Sequence, residues 1–426
     1  MNGKEDNNMS DDIITEEGQE EQVLDDFSMA NDIDAKEVFD SVKLKETSDE
    51  DKPETDNVRK VENEKSVSKE SKDKAATDTL YAEFGSFLET KADIIPDLGI
   101  KKIIPTGIRV LDAVLGGGFA VGSMSIVVGQ PGSGKSMIAI QAMGAAQLRY
   151  PGAIVAFLDS EEATTSIRLS NLGVRYPKIK PYTDITVEKV FKFIEGVCLF
   201  KEQKKIIDVP TVIIWDSIAN TLSQKERETD DVNSVIGYKA RLLSILVPNY
   251  VAKLAQYNIS LIAVNQLRDT ISIGNFTAPK QFKFMSAGKQ MPGGNVLAFN
   301  AFTLLEMKTK EIIDKEKYGF DGIKVLIKTV KNKLFSPNIE LLVSGDFVRG
   351  FSDFWTSWDF LKNTKRLNTG AWNYLVNLPT QKLRTKDAEV LYREDQKFRE
   401  AWDEALDDAI KIDIIEKYNP DLEGST

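Results

Sequence analysis

Residues 129–136 read Gly129-Gln130-Pro131-Gly132-Ser133-Gly134-Lys135-Ser136, a complete G-x-x-x-x-G-K-[ST] phosphate loop, and its flanks decide the fold. Upstream, Ser125-Ile126-Val127-Val128 is apolar and β-branched, as a buried strand requires. Downstream, Met137-Ile138-Ala139-Ile140-Gln141-Ala142-Met143 reads as a helix. Strand, loop and helix therefore come in the order that phosphate binding demands. The glycines let backbone N–H groups converge on phosphate oxygens, and the helix N-terminus adds partial positive charge. Lys135 reaches the outer phosphates and Ser136 can ligate magnesium.

Outward from the loop, apolar runs at 125–128, 153–158, 211–215, 259–264, 302–307, 323–330 and 339–343 alternate with helical stretches. This alternation predicts a mostly parallel sheet with helices on both faces, an α/β core. Ligand groups in such folds sit just beyond the carboxyl ends of the strands. The run 153–158 ends in Asp159-Ser160-Glu161-Glu162, where Glu161 is the better candidate to polarise a water for attack on a γ-phosphate. The same carboxylates would equally serve to cap the next helix. Thr211-Val212-Ile213-Ile214-Trp215-Asp216-Ser217 is an apolar strand ending in aspartate, the Walker B pattern in which Asp216 holds magnesium through water or Ser136.

Leu261-Ile262-Ala263-Val264 runs into Asn265-Gln266, and the segment that follows has neither helical nor strand periodicity. Residues 267–294 carry Arg268, Lys280, Lys283 and Lys289 against Asp269, interleaved with Phe276, Phe282 and Phe284. Loops this long within compact domains are usually functional. Cations meet phosphates while rings stack on bases, which is the chemistry of a single-strand site; a basic surface lid is the alternative. Further on, Lys331 and Lys333 stand at i, i+2 on an extended segment and so point to one side, where both could reach one anion. Surface lysines on an edge strand are the ordinary alternative.

Of the 426 residues, 66 are acidic and 55 are lysine or arginine, and the imbalance is localised. Residues 1–80 hold 25 acidic and 11 basic side chains, leaving a weakly basic remainder. Residues 1–75 are aromatic-poor and charge-rich, which predicts a disordered acidic extension, either a solubilising arm or an anionic competitor for a basic site. Segment 76–103 places Leu80, Tyr81, Phe84, Phe87 and Leu88 at helical spacing, a face for its own core or a neighbouring protomer. Residues 104–350 hold the phosphate loop and strands, and 351–426 read as a small, mainly helical region with Trp355, Trp358 and Trp372. No run approaches the roughly 18 apolar residues of a membrane span, and the start has no signal-like apolar core. The single cysteine, Cys198, sits in an apolar helical stretch and is read as core. The chain has no histidine, which excludes Ser-His triads and leaves carboxylates and lysines as catalytic groups.

The ordered set Thr106-Gly107 with Leu111-Asp112, the loop 129–136, Asp159-Ser160-Glu161, Asp216-Ser217, Asn265-Gln266, Pro292-Gly293-Gly294-Asn295 and Lys331-Asn332-Lys333 resembles the RecA/UvsX strand-exchange recombinases over about 100–345. The position of the acidic segment and the helical C-terminal region are similar to phage UvsX-like members. The resemblance implies a RecA-like P-loop NTPase core that uses ATP and Mg2+. It makes Glu161 the general base, Asp216 the magnesium residue, and Gln266 the sensor coupling the γ-phosphate to a DNA-binding loop at 267–294, with Gly293, Gly294 and Asn295 at its end. Lys331 and Lys333 look like the lysines that reach a neighbour's phosphates, and Arg168 resembles an arginine stacking on adenine. The first DNA loop would fall at Thr221–Ser234, where Lys225 and Arg227 are outnumbered by Glu226, Glu228, Asp230 and Asp231, a balance that disfavours direct phosphate binding there. The implied partners are single- and double-stranded DNA, further copies of the chain in a helical filament, and single-strand-binding, mediator and helicase proteins. The implied location is the cytoplasm, the host's if a phage encodes the chain. Two alternatives share the core. A hexameric helicase needs an N-terminal domain that 1–75 does not resemble, and a non-hydrolysing mediator is disfavoured by Glu161 and Gln266.

Overall fold

The computed structural model describes residues 102–175, 182–229, 231–269 and 285–419. The acidic extension 1–75 and all but the end of 76–103 lie outside these residues. Residues 98–426 form one compact unit. A short ribbon, β1 (Ile103–Ile104) against β2 (Phe119–Ala120), brackets α1 (Arg109–Leu115).

The chain then enters the main sheet at β3 (Met124–Gly129), which is buried along its whole length. The next strands are β4 (Ile154–Asp159), β5 (Thr211–Asp216) and β6 (Ile259–Gln266). A two-stranded ribbon, β7 (Arg268–Asp269) with β8 (Lys289–Gln290), intervenes before β9 (Thr303–Ile313), β10 (Gly322–Asn332), β11 (Glu340–Asp346) and β12 (Gly350–Phe351). The eight-stranded sheet has the order β12-β11-β10-β9-β3-β6-β5-β4. Strands β9, β3, β6, β5 and β4 run parallel, and β9 to β12 form an antiparallel wing. The predicted runs are all strands, and the sheet is mostly parallel.

Alternation across the pleat builds two cores. Val127, Phe157, Ile214 and Val264 join α1 and α2 (Lys135–Arg149) on one face. Ile126, Val128, Ile213 and Ala263 join α4 (Val187–Gln203) and α6 (Tyr238–Gln256) on the other. The shorter α3 (Ser166–Asn171) and α5 (Gln224–Glu228) precede these two on the chain, and α7 (Asn295–Asn300) leads into β9. Cys198 is buried on α4, where burial pushes its thiol up to about 11, so it is inert core as expected.

The C-terminal region is helical, with an element that the composition did not signal. After α8 (Lys315–Tyr318) in the wing come α9 (Asp353–Asn363), then the antiparallel β13 (Leu367–Asn368), β14 (Asn373–Leu375) and β15 (Leu378–Leu383), then α10 (Ala388–Glu394) and α11 (Gln396–Ile410). β13 and β14 are too short to show a period, and β15, Leu378-Pro379-Thr380-Gln381-Lys382-Leu383, has no apolar alternation. Phe354 stacks on Trp402 with centroids 4.6 Å apart, and Trp355, Trp358 and Phe398 close around them in the same core as α1 and the wing.

One ionic device fixes α9 on the wing. Lys324 Nζ donates to Asp359 Oδ1 at 2.8 Å and to the Tyr318 hydroxyl at 3.1 Å, while Ser344 Oγ donates to Asp359 Oδ2 at 2.7 Å, all buried. Every charge there is paired, so removing one partner strands the other in a low-dielectric site. Lys324→Met should cost about 3–5 kcal/mol in urea unfolding, and adding Asp359→Asn should recover part of that loss.

Candidate functional site

At the carboxyl end of β3 the chain turns through Gln130 to Gly134 into α2. Gly132 and Gly134 hold φ of 74° and 80°, which side-chain-bearing residues rarely adopt. Gly134 caps α2 without any side-chain hydrogen bond, so the first amides of the helix remain available to an anion. Ser133 Oγ donates to the Gln130 carbonyl at 2.8 Å, and Lys135 Nζ donates to that same oxygen at 2.8 Å. Lys135 is buried, which lowers its pKa, opposed by the nearby carboxylates of Asp216 and Glu161.

Parallel pairing brings the other predicted groups to the same carboxyl end of the sheet. Asp159 and Asp216 lie opposite each other on β4 and β5, and Gln266 pairs with Gly129 across β6 and β3. Burial pushes Asp216 up to about 6; Glu161 and Asp159 add to this, and a hydrogen bond with Ser136 and the charge of Lys135 oppose it. Ser136 and Asp216 are thus a pair of hard oxygen donors beside the phosphate loop. They suit Mg2+, which takes one or two protein ligands and completes its shell with phosphates and water.

The carboxylates divide their labour. Asp159 is buried and turns back on its own chain, accepting from the amides of Glu161 at 3.1 Å and Thr164 at 2.9 Å. Asp159 thus braces the turn before α3 and does not cap the helix, whose cap is Thr165, accepting from the Arg168 amide. Glu161 is exposed and faces the site: its Oε1 accepts from Asn220 Nδ2 at 2.6 Å and from Ser217 Oγ at 3.3 Å. Ser160 laces the two strand ends, accepting from the Ser217 amide at 2.8 Å and donating to the Asp216 and Ser217 carbonyls. Ser160 lay within a quoted motif but without a role, and Asn220 had no motif to mark it; only the fold places them here. Arg168 is exposed on α3.

Behind Gln266 the basic segment begins at once. Its base is not structureless, because Arg268 pairs with Gln290 and Asp269 with Lys289 across β7 and β8. Phe276, Lys280, Phe282 and Lys283 lie outside the described residues. The far stem is tied to the nucleotide side of the sheet twice. Asn265 Nδ2 donates to the Pro292 carbonyl at 2.8 Å, and the buried Glu306 on β9 accepts from the Ser286 amide at 2.9 Å. Gly293 and Gly294 take positive φ, and Asn295, exposed, opens α7. The segment matching a first DNA loop is occupied internally: Arg227 pairs with Asp184, Lys225 lies over the Tyr238 ring, and Ser223 with Glu226 forms a capping box.

Lys331 and Lys333 are not at their own phosphate loop. Lys331 pairs with Leu304, which pairs with Ile126, three residues back from Gly129 and so roughly 10 Å away along the strand. Its Nζ donates to the carbonyls of Ala298 at 3.0 Å and Phe299 at 2.7 Å, at the end of α7. Lys333 lies 5.6 Å from the Phe302 ring centroid.

The sequence matches the RecA N-terminal domain family over residues 91–352, more than half of the chain. The chain belongs to the RecA family. It is 30% identical over 285 residues to the RecA protein of Thermus thermophilus, an alignment that covers 66% of this chain and 78% of that one. It is 29% identical over 278 residues to RecA of Thermus aquaticus, covering 65% and 75%, and 31% identical over 241 residues to RecA of Treponema denticola, covering 56% and 54%. The RecA match takes in the phosphate loop, the strand-end carboxylates and the Lys331–Lys333 turn, and stops where the C-terminal region begins.

The loop's shape has a direct test. A Cβ on Gly134 would stand 2.6 Å from Cζ of the buried Phe351 ring, at a φ that disfavours it. Gly134→Ala should therefore lower stability by about 2–3 kcal/mol in urea unfolding, without any ligand present.

Proposed function

We propose that this RecA-family chain is an ATP-dependent DNA recombinase of the phage UvsX-like type. It forms helical filaments on single-stranded DNA and promotes homologous pairing and strand exchange with a duplex, as a DNA-dependent ATPase. One observation carries the reading: Gln266 lies in register with Gly129 at the phosphate loop and leads within two residues into the basic segment 267–294. A residue that senses the γ-phosphate there shifts the DNA-binding segment directly, so nucleotide state and DNA affinity become linked.

In this mechanism the amides of Gly132 to Ser136 and the Lys135 ammonium cradle the phosphates of ATP. Ser136 and Asp216 would hold Mg2+, which supplies charge neutralisation at the β- and γ-phosphate oxygens. Glu161 takes the proton of the attacking water, Arg168 stacks on the adenine, and Gln266 reads the γ-phosphate. Arg268, Phe276, Lys280, Phe282, Lys283, Lys289, Gly293, Gly294 and Asn295 form the DNA surface. The position of Lys331 and Lys333, away from their own loop, supports their reaching a neighbouring protomer's phosphates. Among the described residues no helix is long and apolar enough to cross a membrane, consistent with work in the cytoplasm. Single-strand-binding, mediator and helicase proteins are the partners that such a filament would meet.

Electron microscopy with single-stranded DNA and a slowly hydrolysed ATP analogue tests the assembly: long helical filaments are expected, whereas closed rings would favour a helicase and no assembly a mediator. Lys135→Ala should abolish those filaments. Glu161→Ala should keep ATP and DNA binding and lose turnover by about 100-fold or more; normal turnover would remove Glu161 as the base. Lys331→Ala should lose DNA-stimulated ATPase with ATP binding by the free protein intact.

A further inference from the structure

We infer that Asn220 is a positioning residue for the hydrolytic base, an inference that rests on the proposed role of Glu161. The Asn220 amide donates to Glu161 Oε1 at 2.6 Å, the shorter of the two hydrogen bonds that this oxygen accepts. Both donors converge on Oε1, and among the described residues none donates to Oε2. The carboxylate is thereby turned about one oxygen and presents the other to a water.

Asn220 is itself held by an unusually well-fastened turn. Lys239 Nζ donates to the carbonyls of Ile218 at 3.3 Å, Ala219 at 3.1 Å and Thr221 at 2.9 Å, on both sides of Asn220. The fully buried Thr221 accepts from Trp215 Nε1 at 2.8 Å and donates to the Ser217 carbonyl at 2.8 Å. The Ile218 amide donates to the Val264 carbonyl at 2.9 Å, which anchors the turn to β6. The side chain of Asn220, by contrast, is exposed and makes no core contact. A rigid backbone thus carries a free amide whose hydrogen bond goes to an equally exposed carboxylate. That arrangement fits the aiming of a catalytic group, because a base gains rate from fixed orientation.

Steady-state ATPase with single-stranded DNA tests this on the full chain. Asn220→Ala should lower kcat about tenfold, as expected for losing a hydrogen bond to a charged group, with KM for ATP and DNA affinity unchanged. Asn220→Asp, the same size but repelling Glu161, should lower kcat further. In a Glu161→Gln background, Asn220→Ala should cause no additional loss, because the group it aims is gone. A wild-type kcat in Asn220→Ala alongside an inactive Glu161→Gln overturns the inference, as does a full additive loss in the double variant. Wild-type turnover in Glu161→Gln alone would instead overturn the role of the base.

Discussion

Position 129 has no room for a side chain. Gly129 is wedged between Gln266 on β6 and Met307 on β9, and a Cβ there would run into the Met307 carbonyl oxygen and lie 2.6 Å from Ser133 Oγ. Three parallel strands therefore meet at one level with bare backbone in the middle, where β3 and β6 end and β9 runs on. The chain must leave β3 through a glycine-rich turn, and α2 must begin with its amides uncapped. Because β5 and β4 continue the same parallel sheet, Asp216 and Asp159 end on the same side of it, level with Val127 and two residues short of Gly129. The chemistry sits where the packing of the sheet puts it.

The two halves of the sheet then serve different ends. The parallel half supplies strand ends, and with them the carboxylates whose mutual repulsion and burial raise Asp216 while Lys135 and Ser136 hold it in place. The antiparallel wing supplies no such ends at the phosphate loop. Its role is mechanical: Phe351 walls Gly134, Glu306 ties down the stem at Ser286, and Lys324 with Asp359 locks the wing to α9. The aromatic cluster around Trp402 extends that same core, which is why a region outside the matched family segment still packs as part of one unit.

The sequence was most legible where chemistry is local. The phosphate loop, the strands and the terminal carboxylate of β5 each announce themselves within about eight residues, through glycine spacing or a continuous apolar run. Asn220 was illegible because its meaning is a contact with a residue 59 positions earlier. The role of Asp159 was ambiguous for a related reason: a carboxylate at a strand end can face a ligand or its own backbone, and only the geometry of the turn at 160–165 decides. The ribbon at the base of the basic segment and the small sheet at 367–383 escaped because four of their strands have two or three residues and the fifth, Leu378-Pro379-Thr380-Gln381-Lys382-Leu383, has no apolar alternation.

The remaining asymmetry concerns what the site lacks on one side. Asp216 and Lys135 are buried, but Glu161 and Asn220 stand exposed on the outer lip of the same site. A base working in open water gains little from electrostatic preorganisation, which depends on excluding solvent. A proposed filament resolves this, because a second protomer laid over the lip would bury Glu161 at the moment that its Lys331 and Lys333 arrive. Lys331 has its pKa lowered by burial and then by the charge of Lys333, and its ammonium rests on the Ala298 and Phe299 carbonyls. An anionic phosphate from another molecule would favour the Lys331 ammonium against that burial. Assembly and hydrolysis would then be coupled through the desolvation of one exposed carboxylate and the pairing of Lys331 and Lys333 with a neighbour's phosphate.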